Sequence, residues 1–90
     1  MSNINNVPIQ MFSMTNTTGE MVPLRFRFED SEHLIRTIHI NQILGSQEHN
    51  YVGQQCVKYI CSTVQDSKEV LFEVKYMLTS HKWILSKLLN

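Results

Sequence analysis

Apolar side chains recur at every second position through much of this chain, most regularly in its last quarter. Val70, Phe72, Val74, Tyr76 and Leu78 share one parity, with Glu73 and Lys75 between them. A period of two marks a strand with one covered face. Thr79, Ser80 and His81 then turn the chain into a second apolar run that carries the only tryptophan, Trp83. Lys82, Ile84 and Ser86 alternate there with Trp83 and Leu85, which favours a second strand. Ile84, Leu85, Leu88 and Leu89 also fit a helical stripe with Ser80 as its cap, so residues 82–89 stay open between strand and helix.

The same alternation places elements upstream. Residues 7–14 put Ile9, Met11 and Ser13 on one side and Gln10, Phe12 and Met14 on the other, with Pro8 at the strand's start. Asn16, Thr17, Thr18 and Gly19 read as a hairpin turn, Gly19 supplying a positive φ. Residues 20–29 set Leu24, Phe26 and Phe28 against Arg25, Arg27 and Glu29. Pro23 there predicts an edge or a bulge. Residues 33–44 admit a helix starting at Asp30 or Ser31. Strand is preferred, because Ile35, Thr37, Ile38, Ile40 and Ile43 are all β-branched. Residues 45–50 are polar and predict a mobile loop. Residues 54–65 form a long strand with Val57, Tyr59 and Cys61 on one face and Cys56, Ile60 and Val64 on the other. Apolar residues on both faces predict a central strand or one that meets another subunit. Asp66 and Ser67 turn into the last quarter.

The fold class that follows is all-β: an antiparallel meander of about six strands forming a small bent sheet or barrel. Residues 1–6, with three asparagines, form a flexible tail, and residues 7–90 a single β domain. A chain of this length holds one core, with a total stability of roughly 5–13 kcal/mol. Burying a sheet face or edge against a second copy would widen that margin, so a homo-oligomer is expected.

Charge removes several function classes. Eight basic and eight acidic side chains give no net charge, whereas nucleic-acid modules usually carry a basic excess that neutralises phosphates. Cys56 and Cys61 sit five residues apart, so on one strand they point to opposite faces and cannot bond to each other. They read as buried free thiols in a reducing compartment, the cytoplasm. The first residues lack the basic and apolar regions of a signal peptide. No apolar run approaches a membrane span of ~18 residues.

Chemistry leaves few traces. His33, His39, His49 and His81 keep no metal-ligand spacing with one another or with the cysteines. No nucleophile motif occurs, and Gly19, Gly45 and Gly53 are too scattered to cradle phosphate. The expectation is no catalytic residue, no cofactor and no metal. The preferred function is a non-catalytic β module in protein–protein interaction or self-assembly. The alternative is a small β-barrel that binds nucleic acid through Arg25, Arg27, Arg36 and Lys75. Trp83 is either a core indole or, on the surface, the best partner contact.

The stretches P-L-R-F-R-F-E-D (23–30), I-N-Q-I-L (40–44), L-F-E-V-K-Y (71–76) and H-K-W (81–83) carry a resemblance. The chain resembles a family of small uncharacterised β-rich proteins of low-GC Gram-positive bacteria and their mobile elements, over about residues 7–88. The resemblance implies the β fold and assigns no activity or site residue.

Overall fold

In the computed structural model, which describes residues 4–89, seven strands form one antiparallel sheet. They are β1 (Asn5–Thr15), β2 (Met21–Glu29), β3 (Ile35–His39), β4 (Gln42–Tyr51), β5 (Gln54–Gln65), β6 (Lys68–Met77) and β7 (Lys82–Leu88). The order across the sheet is β3-β2-β1-β7-β6-β5-β4. Two meanders, β1–β3 and β4–β7, are therefore joined through the β1–β7 pairing, where Val7 faces Leu85 and Ile9 faces Trp83.

The sheet curls until its two outermost strands run on from each other. Only Ile40 and Asn41 separate β3 from β4. The Ile40 N–H donates to the Leu24 carbonyl of β2 at 3.0 Å, and the Asn41 N–H to the Ser62 carbonyl of β5 at 2.8 Å. The Asn41 side-chain oxygen also accepts from the Val64 N–H at 3.0 Å. Consecutive amides of an extended chain point to opposite sides, so this pair bridges both ends of the sheet. The single strand expected over residues 33–44 is thus split at its middle, which makes seven strands out of about six. Residues 82–89 are strand as preferred, through Leu88.

Two boundaries differ from expectation. Asn5 and Asn6, placed in the flexible tail, belong to β1, where Asn5 faces Lys87; residues 1–3 of that tail lie outside the described residues. Residues 45–50, expected as a mobile loop, are the body of β4. Their backbone pairs with β5, from Gly45 opposite Ile60 to Asn50 opposite Gln55. A strand at the end of a sheet needs backbone partners on one side and no apolar face, so polarity did not exclude it.

Local sequence accounts for the turns. The Asn16 side-chain oxygen accepts from the Thr18 N–H at 3.0 Å and the Glu20 N–H at 2.9 Å, and Gly19 takes φ +88°. An asparagine that closes its own turn and a glycine in the left-handed region are what this hairpin requires. Asp30 does the same for the β2–β3 turn, accepting from the Glu32 and Leu34 N–H groups at 2.9 Å each.

Three bulges steer side chains between faces. In β2 the register passes from Phe12–Arg25 to Ser13–Pro23, leaving Leu24 unopposed. Leu24 is consequently exposed, and not on the buried face with Phe26. Pro23 announced this bulge. A second bulge leaves Leu44 unopposed in β4, and a third leaves Ser86 unopposed in β7. The concave face holds the core: Phe26, Tyr59, Cys61, Phe72, Val74, Trp83 and Leu85. Phe26 meets Phe72 edge-on at 5.6 Å between ring centres, joining the two meanders. Among the described residues no helix is long and apolar enough to cross a membrane.

Candidate functional site

The residues singled out from the sequence divide among three environments. Arg25 and Arg27 stand together on the convex face of β2, both exposed. Arg25 pairs across to Phe12 and His39, Arg27 to Gln10 and Thr37. The Arg25 guanidinium carbon lies 4.5 Å from the centre of the exposed Phe12 ring, a cation–π contact. Lys75 is on the same convex side, between Lys58 and Ile84, three strands further on.

Arg36 does not join them. It faces Phe28 in the β2–β3 register, on the opposite side of the sheet. Its Nε donates to Asp30 Oδ2 at 2.7 Å, fastening the β2–β3 turn. The Arg36 bond, followed by the Leu34 amide, holds the Asp30 carboxyl below its ordinary range. Period-two alternation separates even from odd positions within a strand but does not register one strand against the next. That is why Arg36 was grouped wrongly with Arg25 and Arg27.

Trp83 is not a surface residue. It is 9% exposed and packs between Tyr59, at 5.6 Å, and Tyr76, at 5.0 Å. Of its two expected roles, the core indole is the one it fills. The Tyr76 hydroxyl lies 2.9 Å from His81 Nδ1, so the turn histidine is tied to the same aromatic group.

The convex face also hides a carboxylate. Glu73 is 5% exposed, although its neighbours in sequence point inward. The bulged Ser86 places its hydroxyl 2.6 Å from Glu73 Oε2 and 3.0 Å from the Glu73 carbonyl oxygen, and Lys58 Nζ lies 3.9 Å from Oε1. A buried charge needs such partners. Glu73 therefore belongs to the scaffold, and the Lys58 charge is partly absorbed by it.

The cysteines are free and buried, on opposite faces of β5. Burial pushes the Cys61 thiol up to about 12, the reverse of what a nucleophile requires. Among the described residues no three His, Cys, Asp or Glu side chains gather as a metal would need. An apolar hollow of about 90 Å³ between Phe26, Phe72 and Leu88 is well below the ~300 Å³ of a small-molecule pocket.

The feature that sequence reasoning missed is an open seam. β3 covers β2 only along Arg25–Glu29, and β4 pairs only with β5. The start of β2 and the body of β4 thus face each other across a groove of about 580 Å³, walled by Met21 and Val22 on one side and Ile43, Ser46, Gln47 and Glu48 on the other. Tyr59 forms its floor and donates its hydroxyl to the Met21 carbonyl at 2.9 Å. Burial first, and then the Glu20 charge, raise the Tyr59 hydroxyl above its ordinary value. No local signal marks the seam, because it arises between segments far apart in sequence.

No family model matches the chain, and no curated protein or solved structure matches it either.

Proposed function

We propose that this protein is a non-catalytic β module that works by protein–protein contact, its own self-association included, through the open edge of β4. The observation that carries the reading is the contrast between the two end strands. β3 has five residues, and its Arg36 is tied to Asp30. β4 has ten residues and contains no lysine, arginine or proline. Short length, charge (lysine above all), proline and bulges are the usual guards of a strand edge. β4 has only the bulge at Leu44 and the single acid Glu48, and beyond the bulge its exposed backbone is a template for another strand. The cytoplasm is the compartment that accords with this reading, since Cys56 and Cys61 are free thiols.

Sedimentation at micromolar concentration tests self-association, with dimers or larger species expected. Ser46→Pro and Gln47→Pro sharpen the result. Consecutive amides point to opposite sides, so one of these prolines interrupts the β5 ladder and the other only the open edge. The edge variant keeps the fold and sediments as a monomer. A wild-type protein that stays strictly monomeric removes self-association, and one whose association survives the edge proline removes β4 as the surface.

A second reading rests on Arg25 over Phe12 with Arg27 beside it: nucleic acid bound on the convex face by Arg25, Arg27 and Lys75. Arg36 and Trp83 take no part in it. A salt-dependent shift with single-stranded DNA or RNA, lost in Arg27→Ala, would support it. No shift at low salt removes it.

A further inference from the structure

The seam between β2 and β4 differs from an ordinary edge in having a second wall. Among the described residues Ile43–Glu48 pair with β5 alone, whereas across the groove the Met21 carbonyl already accepts from the Tyr59 hydroxyl and Pro23 has no N–H to give. An inserted strand would find its ladder partners on β4 and side-chain contacts on the start of β2. The wall side chains Met21, Val22, Ile43 and Leu78 are apolar and at least partly exposed. Among the described residues the ionisable side chains that line the groove, Tyr59 apart, are Glu20 and Glu48, both exposed, with no lysine, arginine or histidine. Glu20 lines the groove at its turn end, with its Oε1 accepting from Asn16 Nδ2 at 3.2 Å. In a chain with no net charge, this is a local negative field over an apolar slot.

We infer that the seam takes up an extended peptide segment in which lysine or arginine alternates with apolar residues, the basic side chains meeting Glu20 and Glu48 and the apolar ones lying on Met21, Val22 and Ile43. This rests on the edge reading of β4 and adds to it the chemistry of the partner. Backbone ladder bonds supply strength in such a complex, and alternate side chains supply selectivity. Opposite charge at the rim speeds encounter and rejects acidic partners.

The test uses the full chain and two blocked nine-residue peptides. One alternates valine with lysine; the other carries glutamate in place of each lysine. Binding is followed by fluorescence anisotropy, and amide hydrogen exchange is followed in β2 and β4. The lysine peptide is expected to bind, to slow exchange at residues 21–22 and 43–48, and to lose affinity as salt is raised. The double variant Glu20→Lys, Glu48→Lys should weaken it by about three- to tenfold. Both positions are exposed, and unchanged Trp83 fluorescence verifies that the variant keeps its core. Equal binding of the two peptides, or of the lysine peptide to the double variant, overturns the charge assignment. If the β4 edge-proline variant also binds neither peptide in that case, the edge reading itself survives. Binding that ignores the edge proline, or that leaves β4 exchange unchanged, overturns both.

Discussion

On the concave face Trp83 packs within 5.6 Å of two tyrosine rings, whereas on the convex side of the same strands Ser86 and Lys58 gather round the carboxylate of Glu73. Both groups are buried, and burial acts on them with opposite sign. Removing apolar rings from water is itself the driving force. Removing a carboxylate from water is a cost, offset only by the groups that surround it. The concave face therefore holds the sheet together. The convex face keeps Arg25 and Arg27 in water and buries a carboxylate only where Ser86 and Lys58 surround it.

Mutations at matched places on the two faces put this difference to the test. Trp83→Ala should cost the most, ~3–5 kcal/mol in denaturant unfolding, a large part of a total of roughly 5–13 kcal/mol. A loss below ~1 kcal/mol would mean that the concave face is not the source of stability. Cys61 offers a pH form of the same test. Its thiol is raised by burial from 9.0 to about 12, so the folded state holds the proton more tightly than the unfolded chain. The contribution to stability is intact below 9.0 and is lost as pH rises toward 12. Alkylation of Cys61 at pH 8 should accordingly follow unfolding. Rapid labelling of the native protein would show that the interior is open.

Smaller effects belong to polar groups. Glu73→Ala leaves Lys58 without its carboxylate and the bulged Ser86 hydroxyl with only the carbonyl of residue 73 to donate to, and should cost ~1–3 kcal/mol. If it stabilises the fold instead, desolvation outweighs the bonds that Glu73 makes. Tyr59→Phe removes the hydroxyl that crosses the seam to Met21 and should cost about 1 kcal/mol, with faster exchange near residue 21. Arg27→Ala, on the open convex surface, should change stability by no more than about 0.5 kcal/mol. A larger loss would make that surface part of the scaffold.

How much of this was legible depended on whether a signal was local. Strands β1, β2, β5, β6 and β7 were all visible, because each must bury one face and alternates accordingly. The pairing of Arg25 with Arg27 on one side of β2 was visible for the same reason. Arg36 was misplaced because sides were assigned one strand at a time, with no register between β2 and β3. Leu24 was misplaced because one extra residue at a bulge reverses the alternation. Residues 45–50, the body of β4, read as a loop because that part of an end strand is polar on both faces and leaves no periodic trace.

The sequence by itself determined that this chain is all-β, where most of its turns fall, and that Phe26 and Phe72 lie on covered strand faces. Those are consequences of side-chain alternation and turn chemistry, which act over a few residues. Tertiary structure alone decided that β1 lies against β7, that Ile40 and Asn41 bridge the two ends of the sheet, and that an acidic seam opens between β2 and β4. These features join segments from sixteen to eighty-two residues apart, and they depend on how far the sheet curls. The curl is set by the packing of the whole concave face and by three bulges acting together, so no short stretch of the chain encodes it.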